Sequence, residues 1–92
     1  MKDVWKFIEE LIAANAQHRK GFRLQRVASS FVLAQAIEEM NELCNAPDDI
    51  EELGDLFGVL IHYAIKKGWT IQQLEAAMFR KLKQRFSDGD QR

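Results

Sequence analysis

Apolar side chains recur every three or four residues through the first half of the chain, which is the period of an amphipathic helix. The first run opens at Asp3, a residue type that caps helices, and stops at Gly21. Its apolar positions are Val4, Phe7, Ile8, Leu11 and Ile12. A second run begins around Leu24 and stops at the Asn-Ala-Pro sequence of residues 45–47. Its apolar stripe consists of Leu33, Ala36, Ile37, Met40, Leu43 and Cys44. The pattern therefore predicts two helices in this half of the chain.

Capping signatures predict where two further helices begin. Asp48 and Asp49 each stand three residues before a glutamate, which is the spacing of a capping box, and the run that follows ends at Lys67 with Gly68 as its stop. This third helix is apolar on nearly every side, so we expect it to be central and mostly buried.

The fourth helix has a capping box of its own. Thr70 and Gln73 have the required spacing, and they predict a helix from Ile71 to about Phe86. The polar residues 87–92 are expected to form a disordered tail.

Short connections between amphipathic helices favour antiparallel neighbours. No stretch alternates between apolar and polar residues as a half-buried strand would. We therefore expect residues 1–92 to form one all-α domain, a four-helix hairpin or bundle. The chain has 92 residues, and 47% of them are hydrophobic. A fold this small buries a modest share of its surface, and a second copy of the chain often covers the remaining apolar residues, so we expect an oligomer.

Charge and cysteine content narrow the function classes. The 13 basic and 14 acidic residues nearly cancel, so the broad positive field of a nucleic-acid-binding protein is missing. Cys44 is the only cysteine, which excludes an internal disulfide and is typical of a reducing compartment. Charged residues interrupt the apolar run at the N-terminus, which fits neither a signal peptide nor a membrane span. We expect a cytoplasmic protein that does not bind membranes.

Carboxylates cluster on the second and third predicted helices. Glu38, Glu39 and Glu42 fall within an arc of roughly 100° on one face, and Glu52 and Asp55 lie on adjacent turns of the other helix. Carboxylates that crowd into a cleft repel one another unless a cation or shared protons neutralise them, and all-oxygen ligation suits magnesium or manganese. The alternative interpretation is an ordinary solvated acidic surface.

The Glu-Glu-Met-Asn-Glu segment at residues 38–42 and the Glu-Leu-Gly-Asp segment at residues 52–55 carry a resemblance to a known family. They resemble the paired EExxE and ExxD motifs of the MazG family of all-α nucleoside triphosphate pyrophosphohydrolases. The resemblance extends to residues 81–85 and covers about the last two-thirds of the chain. The chain departs from larger relatives in its short link between the motifs and in lacking a His-Pro-His ending.

The resemblance implies a set of metal ligands: Glu39, Glu42, Glu52 and Asp55. It implies Mg²⁺ as the cofactor, with Mn²⁺ as a possible substitute. Glu38 would be a further ligand or would orient the attacking water, so Glu38 and Glu39 are the expected catalytic residues. Water activated at the metal would attack the α-phosphorus while the ions offset charge on the departing pyrophosphate.

Other residues are assigned to the substrate. By the same resemblance, Lys81 and Arg85 would contact phosphate, although a basic helix face is as often simply solvated. Lys20, Arg23 and Arg26 are weaker phosphate candidates. His62 and Trp5 are candidates for contacting the base, although most aromatic side chains at helical spacing belong to the core.

The resemblance implies hydrolysis of a (deoxy)nucleoside triphosphate to monophosphate and pyrophosphate, for house-cleaning or control of nucleotide pools, by a homodimer or homotetramer. The alternative function is a helical dimerisation or protein-interaction module with a solvated acidic face. A third possibility is a relative that binds nucleotide without turnover.

Overall fold

The computed structural model describes residues 1–14 and 29–89, with side chains described as far as residue 86. These residues form four helices: α1 (Lys2–Ala14), α2 (Ser29–Asn45), α3 (Ile50–Lys66) and α4 (Ile71–Gly89). No strand occurs within this part of the chain, so the all-α prediction is confirmed for it. None of the four helices is both long and apolar enough to cross a membrane. The predicted end of the first helix at Gly21 and the predicted start of the second at Leu24 lie outside the described residues.

The α3 helix begins at the predicted cap and ends at Lys66, one residue before its predicted end at Lys67. The Asp49 Oδ1 atom accepts a hydrogen bond from the Glu51 backbone N–H at 2.9 Å and so caps the first turn. At the other end, Gly68 has a φ of +81°, which a residue without a Cβ adopts easily. The N–H groups of Gly68 and Trp69 donate to carbonyls of the last turn at 2.9 and 3.1 Å, the bonds of a Schellman motif.

The capping box at the start of α4 is fully formed. The Thr70 N–H donates to Gln73 Oε1 at 2.8 Å, and the Gln73 N–H donates to Thr70 Oγ1 at 3.1 Å. The helix continues to Gly89, three residues beyond its predicted end at Phe86 and into the segment expected to be disordered. Ser87 and Asp88 do not break a helix as proline or glycine would, so the backbone continues until glycine is reached.

The core lies where α1, α3 and the start of α4 meet. Trp5, Ile61 and Ala64 are buried there, and four half-buried side chains pack against them: Ile8, Ile65, Ile71 and Leu74. The short link of residues 46–49 makes α2 and α3 an antiparallel hairpin with extensive contact along its length. This hairpin is the frame on which the acidic residues are placed.

The face of α2 that packs on α3 differs from the predicted apolar stripe. Val32 is fully buried, and three half-buried residues follow it at successive spacings of four, three and four: Ala36, Glu39 and Leu43. Four members of the predicted stripe are instead exposed: Leu33, Ile37, Met40 and Cys44. Glu39 is not a member of the predicted apolar stripe, and in the structure it belongs to the packed face. The apolar stripe of the sequence does not mark the packed face, because α2 also has apolar residues that stay exposed to solvent.

Replacing Trp5 with alanine tests the core. Trp5 is 4% exposed, so the substitution should lower the free energy of unfolding by about 3 kcal/mol or more, through lost burial and an unfilled cavity. Phe7→Ala is the control on the same helix: Phe7 is 59% exposed, and the change should stay within about 0.5 kcal/mol. Urea unfolding followed by circular dichroism measures both, and equal effects would contradict this assignment of the core.

Candidate metal centre

Three carboxylates from the two helices of the hairpin converge on one point. Glu39 of α2 and Glu52 and Asp55 of α3 each offer one oxygen, and these oxygens lie within 4.8 Å of one another. Glu39 and Glu52 are half-buried, whereas Asp55 is exposed. The group therefore has a sheltered inner side and an opening to solvent.

Local structure explains the convergence. The turn between the helices is closed by hydrogen bonds from the Ala46 N–H to the Glu42 carbonyl and from the Asp49 N–H to the Ala46 carbonyl, both 3.0 Å long. An antiparallel hairpin with so short a turn sets Glu39 beside the first two turns of α3. Glu52 and Asp55 are three residues apart, so they project from neighbouring turns of the same face.

The electrostatics of the group favour protonation or a cation. Partial burial raises the pKa of Glu39, and the charges of Glu42, Asp55 and Glu38 raise it further. Partial burial likewise raises the pKa of Glu52, followed by the charges of Glu42, Asp55, Asp49 and Glu39. Every neighbouring charge that shifts these two groups is another carboxylate. The cluster is therefore strongly negative, and no basic side chain offsets the charge at Glu39 or Glu52 among the residues that shift their pKa values.

One oxygen of Glu52 is left without a partner. Its Oε2 atom is buried and accepts no hydrogen bond from the described residues. The predicted capping box would have used this side chain to accept from the Asp49 N–H, but that N–H donates to the Ala46 carbonyl instead. Glu52 thus turns towards the acidic group rather than back to the helix start. A buried acceptor without a donor is unfavourable, and a cation would satisfy it.

The donor set fits Mg²⁺ or Mn²⁺. Both ions prefer oxygen ligands, and Mg²⁺ holds them at about 2.0–2.1 Å in octahedral geometry while keeping several waters. Such an ion separates its ligands by roughly 3 to 4 Å, so small side-chain rotations would bring oxygens 4.8 Å apart or less into range. Three carboxylates with an open side leave positions for water or substrate.

The other predicted acidic residues border the group. Glu42 is exposed, and its charge acts on both Glu39 and Glu52, but it is not one of the three residues whose oxygens converge. Glu38 is exposed. Its charge raises the pKa of Glu39 and is not among the charges that raise the pKa of Glu52. Asp49, which the sequence indicated only as a cap, also contributes to the charge around Glu52. Sequence reasoning missed that role because capping already accounted for the residue.

The predicted substrate-binding residues are more widely dispersed. Lys81 and Arg85 are exposed on α4, and neither is among the charges that shift the pKa of Glu39 or Glu52. The weaker phosphate candidates lie outside the described residues: Lys20, Arg23 and Arg26. Among the described residues, three carboxylates converge, and neither Lys81 nor Arg85 contributes to the pKa shifts of Glu39 and Glu52.

The two base-binding candidates are buried. His62 is 4% exposed and lies seven residues beyond Asp55, about 10 Å along the helix axis. Trp5 is 4% exposed and is accounted for by its packing against Ile61 and Ala64. Contact of either ring with a base would require these residues to open, and both assignments stay predictions.

Comparison with known proteins does not place the chain in a family. No protein-family model matches the chain, and no curated protein or solved structure is significantly similar to it. The resemblance to the MazG motifs therefore rests on the residues themselves.

The raised pKa values predict a pH-dependent stability in the absence of divalent cations. A carboxyl group whose pKa is raised by folding stabilises the protein at low pH, and this contribution is lost as the pH rises above the usual value of 4.5 and through the raised pKa. We expect the melting temperature to fall from pH 5 towards neutrality. Glu52→Gln should reduce this fall, and the exposed neighbour Glu51→Gln should not. Thermal unfolding in chelator-treated buffer measures the effect; identical pH profiles for the two variants would contradict it.

Proposed function

We propose that the chain is a Mg²⁺-dependent nucleoside triphosphate pyrophosphohydrolase of the MazG type, which converts a (deoxy)nucleoside triphosphate to the monophosphate and pyrophosphate. The observation that carries the proposal is the convergence of Glu39, Glu52 and Asp55 within 4.8 Å, from the two segments that resemble the family's motifs. The buried Glu52 oxygen without a donor supports a cation at this point.

The chain's residues divide the task between them. Glu39, Glu52 and Asp55 would hold the ion, with Glu42 as a further ligand from the adjacent turn of α2. When bound, the ion supplies positive charge that offsets the charge of the triphosphate. Glu38, exposed beside Glu39, would orient a water and take its proton as the water oxygen bonds to the α-phosphorus. The bond between that phosphorus and the bridging oxygen breaks, and pyrophosphate leaves with the electron pair.

Substrate contacts and assembly complete the proposal. Lys81 and Arg85 are proposed to contact phosphate, and a homodimer or homotetramer is proposed as the working form. Sixteen large apolar side chains are exposed on the described part of a single chain, which favours association with further copies. House-cleaning or control of nucleotide pools, in the cytoplasm, is the proposed role.

Removing one carboxylate of the convergent group tests the activity. Glu39→Gln and Asp55→Ala should each lower Mg²⁺-dependent release of pyrophosphate by about 100-fold or more, because a ligand of the ion is lost. A panel of standard and modified nucleoside triphosphates would provide the substrates. Glu51→Gln is the control: Glu51 is an exposed carboxylate on the first turn of α3, and its replacement should leave the activity unchanged. Full turnover by both site variants with magnesium present would remove the basis for the proposal.

The second candidate function is a helical interaction module, and the exposed apolar surface is the observation that favours it. Nothing in such a module requires magnesium. Calorimetric titration separates the two functions: the hydrolase should show saturable Mg²⁺ binding that Glu39→Gln abolishes and Glu51→Gln preserves. An interaction module should show no saturable site in either form.

A further inference from the structure

The turn between α2 and α3 has a proline at its second position. Residues 46–49 form a β-turn, in which the Asp49 N–H donates to the Ala46 carbonyl at 3.0 Å. Pro47 is the only proline of the chain, and it occupies the position of such a turn at which proline is favoured. Its ring fixes φ at about −65°, as this position requires, and it disfavours helical geometry at the residue before it. The α2 helix accordingly ends at Asn45.

The hydrogen bond of this turn occupies the group that the Glu52 side chain would otherwise bind. In a capping box, the glutamate three residues after the cap accepts a hydrogen bond from the backbone N–H of the cap residue. Here the cap is Asp49, whose backbone is extended, and Glu52 has the required spacing. Because the Asp49 N–H has a single hydrogen and the Ala46 carbonyl accepts it, the Glu52 carboxylate loses its local partner.

The start of α3 is satisfied without the Glu52 side chain. The Glu51 N–H donates to Asp49 Oδ1 at 2.9 Å, and the Glu52 N–H donates to the Asp49 carbonyl at 3.1 Å. The Glu52 Oε2 atom is buried and accepts no hydrogen bond from the described residues. One oxygen of Glu52 instead lies within 4.8 Å of an oxygen of Glu39 and of one of Asp55. The carboxylate therefore belongs to the acidic group and not to the cap.

Two positions of the Glu52 side chain thus compete. The capping position would give the carboxylate a hydrogen-bond donor. The position in the structure gives it partial burial and carboxylate neighbours, both of which raise its pKa. Without a cation, the cap would therefore be the more favourable of the two positions. A turn that removes the cap keeps a ligand in place before the ion binds, which avoids the loss of affinity that a rarely populated binding conformation causes.

We propose that Pro47 is a positioning residue for the metal centre: it fixes the turn whose hydrogen bond occupies the Asp49 N–H, and this leaves the Glu52 carboxylate to the acidic group. The proposal rests on the metal centre of the proposed function and adds a residue outside the ligand set. The Pro47 side chain has no polar atom to offer an ion. Any effect of its replacement on cation binding is therefore transmitted through the backbone of the turn.

Calorimetric titration with Mg²⁺ tests the positioning role. Pro47→Gly should raise the dissociation constant by roughly fivefold, the change in population that one capping hydrogen bond can cause. Gly68→Ala is the matched control: it strains the turn at the other end of α3, where φ is +81°, and so destabilises the fold away from the acidic group. This control should leave the Mg²⁺ affinity unchanged. Circular dichroism verifies that both variants are folded at the temperature of the titration.

The outcomes separate this proposal from the proposed function. If the unaltered chain shows no saturable Mg²⁺ binding, or Glu39→Gln leaves that binding intact, the metal centre itself is wrong and the positioning role is overturned with it. Where Mg²⁺ binds and Glu39→Gln abolishes binding, two results overturn the positioning role alone. One is unchanged affinity in Pro47→Gly, and the other is an equal loss of affinity in Gly68→Ala.

A second measurement uses the unaltered chain. NMR detects a scalar coupling across a hydrogen bond, here between the Asp49 nitrogen and the Ala46 carbonyl carbon, and so identifies the acceptor of this N–H. The coupling should be present in the metal-free and in the Mg²⁺-loaded protein, because the turn forms independently of the ion. A metal-free protein in which the Asp49 N–H couples to the Glu52 carboxylate carbon, or shows no coupling, would overturn the proposal even where Pro47→Gly does not fold.

Discussion

Repulsion among the partly desolvated carboxylates of the α2–α3 hairpin is the main physical constraint on this structure. Burial is the largest cause that raises the pKa values of Glu39 and Glu52, and the charges of neighbouring carboxylates raise them further. Both effects disfavour the charged form of these two groups, and a bound cation would offset both. A surface that served only for solubility would have no reason to shelter them, because exposed acids fulfil that purpose without desolvation.

The packing that creates this repulsion also holds the fold together. The α2 helix contacts α3 through Val32, Ala36 and Leu43, and Glu39 belongs to the same face. Moving Glu39 out to solvent would mean rotating the helix and uncovering Val32, which is fully buried. The positions of the carboxylates are therefore determined by apolar contacts, and an ion would find its ligands already arranged.

Sequence patterns anticipated the helices well and the packed face of α2 poorly. Capping residues define helix ends through bonds to the nearest turn, so Asp49, Gly68 and Thr70 could be interpreted without knowing the fold. Which side of a helix meets a neighbour depends on the whole arrangement, and α2 offers two apolar faces. The motif resemblance predicted a site formed by Glu39, Glu42, Glu52 and Asp55, and the structure brings carboxylate oxygens of Glu39, Glu52 and Asp55 within 4.8 Å of one another. The sequence could not show that the Glu52 side chain does not cap the helix. That outcome depends on the hydrogen bond that the Asp49 N–H donates to the Ala46 carbonyl.

The small core makes a bound cation matter for stability as well as for function. Only five hydrophobic residues are buried among those described. A domain this small has little stability in reserve, and anything that binds the folded form alone adds to it. An ion at 100 times its dissociation constant would contribute about 2.7 kcal/mol, a large share of what such a fold has. A cation bound by Glu39, Glu52 and Asp55 would therefore add to the stability that the small core supplies, because it would bind only the folded hairpin.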